Sequence, residues 1–182
     1  WWNEDLPEMI RAGRTDTEDI RELLEQEIWD INNRILEFKR ENNTRCGSTL
    51  SLLLLYGDSF YLENMGDSRI YRLSSDGLCG LTVDQTLGAQ LMREGRLSKE
   101  ELKTFNKKNI LTMCMGMFEI PESYFNMGKL GKDEIFMLCS DGLYNALGDE
   151  EISRVLCRKD IYPEEKVNLL REMIPFGRGK DN

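Results

Sequence analysis

Histidine is absent from all 182 residues. No Cys/His zinc pattern can be drawn, and there is no C-x-x-C pair to build a zinc site from thiolates alone. No run of lysine and arginine occurs either. Asp and Glu total 33 against 24 Lys and Arg, a formal net charge of −9. Such a chain is a poor partner for nucleic acid or for an anionic membrane surface. No apolar stretch is long enough to span a bilayer, and nothing resembles a secretory signal. The five cysteines (46, 79, 114, 139 and 157) are odd in number with no close pair. Cys114 and Cys139 lie in apolar runs, where a thiol behaves as a small hydrophobe. These features point to a reducing compartment, the cytoplasm. With no internal repeat and no low-complexity linker, residues 1–182 are expected to form a single domain.

What is present is ordinary for a globular protein: 40% hydrophobic and 31% charged residues, in a chain long enough to bury a sound core. The carboxylate excess suits a solvated acidic surface, and it is compatible with a site for hard cations, which take oxygen ligands.

The stretch 132–147, KDEIFMLCSDGLYNAL, organises the chain. Its unbroken apolar run from Ile135 to Cys139 predicts a strand buried on both faces. Asp141 follows at the strand's mouth. It reads either as the N-cap of a following helix or as a carboxylate aimed at a cation by a rigid element. Upstream, Thr15 to Asp19 supplies cap residues and early acids. Ile20, Leu23, Leu24, Ile28, Ile31, Ile35 and Phe38 then recur at helical spacing, predicting a helix to about Arg40 with that stripe on a sheet.

Segments 48–56, 60–65, 70–73 and 78–82 read as an antiparallel meander, with turns at Gly57-Asp58 and Ser75-Asp76-Gly77. The run Leu52 to Leu55 predicts a strand covered on both faces, hence a layered fold. From Asp84 the texture is helical, with a capping box at Ser98 to Glu101. Residues 110–115 read as a strand, and the segment holding Pro121 and Gly128 as loose. A short helix to Leu147, one over 149–157 and one over 163–173 complete the chain.

Three acids stand out by setting. Asp67 lies where a strand breaks and resumes (MGDSR), Asp141 ends a strand, and Asp181 follows a glycine-rich turn. Strand ends that converge could bring such acids to one cation pair, a device for activating water against a phosphoryl group. The competing readings are a turn aspartate paired with Arg69 for Asp67, and a frayed terminus for Asp181.

The segments CGST (46–49), MGDSRIY (65–71), LTVDQT (81–86), ILT (110–112) with Gly116, LCSDGL (138–143) and GKDN (179–182) resemble, in order, the motifs of the metal-dependent serine/threonine phosphatases of type 2C. The resemblance implies an α+β fold, a four-layer α/β/β/α sandwich of two mainly antiparallel sheets flanked by helices. It implies that Asp141 and Asp181 are ligands of a dinuclear Mg²⁺/Mn²⁺ centre, and that Asp67 is a ligand of a third, weaker ion. A metal-bridging water would attack the phosphorus in line, with no phosphoenzyme and no catalytic side chain. Residues 83–128 would be a flap-like insertion that influences substrate choice.

The chain departs from the family at several points. The N-terminal Asp-Gly-x-Gly-Gly motif, whose aspartate bridges both metals, is not in these residues, and the chain stops at Asp181-Asn182 where the family continues into a further strand. The domain is therefore expected to be incomplete at both ends, with the activity of these 182 residues alone left open. Gln85 stands where many relatives have histidine, and the histidine proposed in some relatives as a proton donor has no counterpart. The expectation is a phosphatase acting on phosphoserine or phosphothreonine in proteins. Its alternatives are a non-catalytic phosphatase-like module that binds a protein partner, and a hydrolase of small phosphate esters. Oligomeric state, regulator and the choice of Mg²⁺ or Mn²⁺ are not legible.

Overall fold

The computed structural model describes residues 5–175. Two three-stranded antiparallel sheets lie at its centre. The first has the order β1-β2-β5, from Leu50–Tyr56 (β1), Ser59–Met65 (β2) and Tyr124–Lys129 (β5). The second has the order β4-β3-β6, from Arg69–Ser74 (β3), Gly77–Gly80 (β4) and Ile135–Cys139 (β6). Helices α1 (Asp5–Arg11) and α2 (Thr17–Glu41) cover the first sheet, and α6 (Asp149–Leu156) and α7 (Pro163–Met173) cover the second. The short helices α3 (Leu87–Arg93), α4 (Lys99–Thr104) and α5 (Asp141–Tyr144) lie in connections. The result is the expected α/β/β/α layering.

Strand alternation produces these layers directly. On β2, Tyr61 faces α2 with Ile20, Leu24 and Leu54, while Phe60 and Leu62 face Ile70 and Phe136 of the other sheet. The Phe60 and Phe136 rings lie 5.4 Å apart, tilted by 57°. On the far side, Leu73 meets Ile152, Val155, Leu156 and Leu170. Each such side chain taken from water contributes about 1.5–3 kcal/mol. Asp16 caps α2 by accepting from the Asp19 amide at 2.9 Å, and Ser98 with Glu101 forms the predicted capping box of α4.

Several expectations need correction. The meander is divided, because β1-β2 and β3-β4 are hairpins of different sheets and the chain crosses between them at residues 66–68. Among the described residues the leucine-rich β1 is an edge strand with Leu55 half exposed, whereas β2, which carries Glu63 and Asn64, is central and wholly buried. Likewise β6 is an edge strand, paired to β3 alone among the described residues, and Leu138 is exposed. Residues 110–115 form only isolated bridges, Leu111 to Thr86 and Met115 to Ser48.

The segment read as loose contains β5, so the stretch 83–128 rejoins the sheet from Tyr124. Gly128, within the segment read as loose, sits opposite Phe60, where a Cβ would come within 2.7 Å of the ring. The stripe on α2 is interrupted beyond Ile28, where Ile35 still packs with Ile28, Met65 and Met115. Ile31 and Phe38 are exposed, and buried Asn32 turns instead to the loop, donating to the Phe118 carbonyl and accepting from the Gly116 amide. Helix α1, in a stretch with no clear period, buries Leu6 and Met9.

Candidate metal centre and adjoining cleft

Asp67 and Asp141 occupy one end of the second sheet. The β3-β6 ladder pairs Arg69 with Cys139, so each acid lies two residues beyond a paired residue, on neighbouring strands and at the same end. Asp141 is the first residue of α5, and Ser140, not Asp141, stands at the N-cap. Asn145 Nδ2 donates to Asp141 Oδ2 at 3.2 Å. Burial pushes the half-buried Asp67 carboxyl above its ordinary value, and the charge of Asp141 pushes it the same way. Asp181 lies outside the described residues.

The turn carrying Asp67 is held from several sides. Gly66 adopts φ +101°, and a Cβ there would fall 2.5 Å from Thr49 Cγ2, so the position needs glycine for both reasons. Thr49 Oγ1 lies 2.8 Å from Ser68 Oγ, which joins the CGST segment to the turn. Gln85 grips Gly66 twice: its side-chain oxygen accepts from the Gly66 amide at 2.8 Å, and its own amide donates to the Gly66 carbonyl at 2.9 Å. Gln85 Nε2 also donates to the Glu122 carbonyl at 2.7 Å. The residue standing in place of histidine is thus a structural brace.

Arg69 does not pair with Asp67. It forms a fork on Asp84, with Nε to Oδ1 at 2.9 Å and Nη2 to Oδ2 at 2.6 Å, and Nη1 donates to the Tyr71 hydroxyl at 3.1 Å. Burial opposes the Arg69 charge, but these hydrogen bonds outweigh it and hold the guanidinium protonated. Tyr144 lies against the same group, with the Arg69 guanidinium carbon 3.6 Å from its ring centroid. The Tyr144 hydroxyl donates to the Asp67 carbonyl at 2.8 Å. Burial first, then the charges of Asp67 and Asp84, push that phenol upward, so it remains a donor.

Beside these groups opens a cleft of about 690 Å³. Asp67, Arg69 and Tyr144 line one side, and Met92, Leu102 and Lys108 line it from the 83–128 stretch. Among the described residues no group of three or more His, Cys, Asp or Glu is placed to hold a metal ion. The Asp67–Asp141 pair still fits part of a shell for Mg²⁺ or Mn²⁺. Both are hard oxygen donors, and the upward shift at Asp67, from burial first and the charge of Asp141 second, marks a cost that a cation would relieve. Sequence reasoning quoted Asp84 without giving it a role and passed over Tyr144. A pairing that joins two distant motifs leaves no local pattern to read.

No family model matches the chain. It is 29% identical over 167 residues to the serine/threonine phosphatase Stp of Listeria innocua, covering 91% of this chain and 66% of that protein, just under two thirds of its length. The fold resembles the solved serine/threonine phosphatase of S. agalactiae, with TM-score 0.81, 26% identity and 87% of this chain covered against 66% of that one. It also resembles the catalytic domain of the serine/threonine phosphatase PstP, solved in complex with two manganese ions. There the TM-score is 0.75 at 28% identity, over 87% of this chain and 66% of that one. By sequence over nine-tenths of its length and by its layered fold, the chain resembles the serine/threonine protein phosphatases of the type 2C, or PPM, family.

Proposed function

We propose that this chain is the greater part of a phosphoprotein phosphatase that hydrolyses phosphoserine and phosphothreonine at a divalent-metal centre. The observation that carries the proposal is the convergence of Asp67 and Asp141 at neighbouring strand ends beside an open cleft, in a fold shared with a phosphatase solved with two manganese ions. In this reading Asp141 and Asp181 hold the dinuclear pair, and Asp67 shares a third ion with Asp141. Mg²⁺ or Mn²⁺ bound there would supply an acidified water and neutralise charge on the phosphoryl group. The chain's own residues hold the carboxylates in place: Gln85 and Thr49 fix the Asp67 turn, and β6 aims Asp141. Residues 83–128 form the far wall of the cleft and would bear on substrate choice. Their acids Glu94, Glu100, Glu101 and Glu119 would disfavour strongly acidic substrates.

No described helix is long and apolar enough to cross a membrane, and all five cysteines are free. Both fit the proposed cytoplasmic location.

The test is Mn²⁺-dependent hydrolysis of a phosphothreonine peptide and of para-nitrophenyl phosphate by the intact protein. Turnover of the peptide in preference to the small ester is expected, and Asp141→Asn should reduce turnover to background with unchanged far-UV circular dichroism. A second reading is a phosphatase-like module that binds a protein partner without hydrolysis. No turnover with metal in excess would select that reading.

A further inference from the structure

We infer that Tyr144 is a positioning residue that ties the Asp67 turn to the helix carrying Asp141 and so sets the spacing of the two carboxylates. The inference rests on the phosphatase reading above and goes beyond it, because it assigns a role to a side chain that touches neither carboxylate group.

The backbone ladder between β3 and β6 ends at the Arg69–Cys139 pair. Beyond it the chains part, one into the turn at residues 66–68 and the other into α5. The two acids lie in that unpaired stretch, where their charges repel. Tyr144 closes the gap from the α5 side. It stands three residues after Asp141, one helical turn on, at the far end of a helix of four residues. Its hydroxyl reaches the backbone carbonyl of Asp67 itself at 2.8 Å.

Its ring is also trapped. The Arg69 guanidinium lies 3.6 Å from the ring centroid, and that guanidinium is locked in plane by its fork on Asp84. One side chain therefore touches the turn through its hydroxyl and the start of β3 through its face, while its backbone belongs to α5. Asp84, near the start of the 83–128 stretch, is tied into the same assembly by its fork with Arg69. A carboxylate pair held this way presents its oxygens at a fixed separation, as a hard cation requires.

The test is Mn²⁺ binding to the intact protein, read from the electron paramagnetic resonance signal of free Mn²⁺, for wild type, Tyr144→Phe, Asp67→Asn and the double variant. Phenylalanine keeps the stacked ring and loses only the hydroxyl, and circular dichroism checks that the fold is retained. The Mn²⁺ equivalent that Asp67→Asn removes should bind about tenfold more weakly in Tyr144→Phe, the scale of losing an outer-shell partner. Adding Tyr144→Phe to Asp67→Asn should then weaken nothing further. Wild-type binding in Tyr144→Phe, or an equal loss in both backgrounds, would overturn the positioning role and leave the phosphatase reading intact. If wild-type protein binds no Mn²⁺ at all, both fall together.

Discussion

Glu63 and Asp67 lie four residues apart, on either side of the bend at Gly66, and both carboxyls are shifted upward. Their surroundings differ completely. Glu63 is fully buried on the central strand β2, on the face toward α2, and neither of its oxygens has a hydrogen bond of ordinary geometry. Burial pushes it to about 7; Ser123 within reach and the more distant Arg21 lower it, while Glu25 adds to the rise. Asp67 is half-buried, opens on a cleft and faces a second carboxylate. A cation can reach Asp67 and relieve its cost, whereas Glu63 is sealed between a sheet and a helix. An upward shift alone therefore does not mark a metal site; access and a second carboxylate do.

The harshest way to break the comparison is to damage the frame that both acids share. Leu62, fully buried beside Glu63, points the opposite way, into the layer between the sheets. Leu62→Ala should cost about 2–5 kcal/mol in urea denaturation. The loss should be equal at pH 5 and pH 8, because the variant leaves the Glu63 face alone; an unequal loss would mean that the two faces of β2 are coupled. Next in size is Glu63→Gln. The folded state holds the Glu63 proton up to about pH 7, above the ordinary 4.5. Its contribution is therefore fully present below the ordinary value and is lost as pH rises through 7. Wild-type protein should lose on the order of 2 kcal/mol between pH 5 and 8 from this group, and Glu63→Gln should lack that slope. The same slope in both proteins would show that Glu63 finds a partner on ionising.

What could be read in the sequence follows from which interactions are local. The two-residue turns at 57–58 and 75–76, the Ser98 capping box and the proline-led α7 were legible because each is decided within a few residues. The burial of the strands was not. Among the described residues the apolar run of β1 lies at an edge, while β2, with its Glu63 and Asn64, became the centre because β5, disguised by Asn126 and Gly128, pairs on its other side. At the candidate site, Asp67 and Asp141 were singled out by their positions at strand ends. Their neighbour relation depends on the β3-β6 register, and the Arg69–Asp84–Tyr144 assembly joins three separate segments. Contacts of that kind come from topology, which a single sequence does not print.

The smallest effect sharpens the comparison most. In buffer freed of divalent ions, Asp67→Asn should stabilise the protein by under ~1 kcal/mol at pH 7.5, the scale of a solvent-screened charge pair, as a rise in thermal midpoint. The sign follows from the upward shift: the native state is penalised once Asp67 ionises above the ordinary carboxylate range, and asparagine removes that penalty. The gain should vanish at a pH low enough to protonate Asp67 in both states. Added Mn²⁺ should then reverse the order, because wild-type protein is stabilised as RT ln(1 + [Mn²⁺]/Kd) while the variant loses the ion that Asp67 holds. Glu63→Gln should show no such crossing, since no cation reaches that layer. A crossing at one acid and none at the other would separate a carboxylate placed for a cation from one merely caught in the core, and parallel curves at both would return Asp67 to the status of an ordinary turn residue.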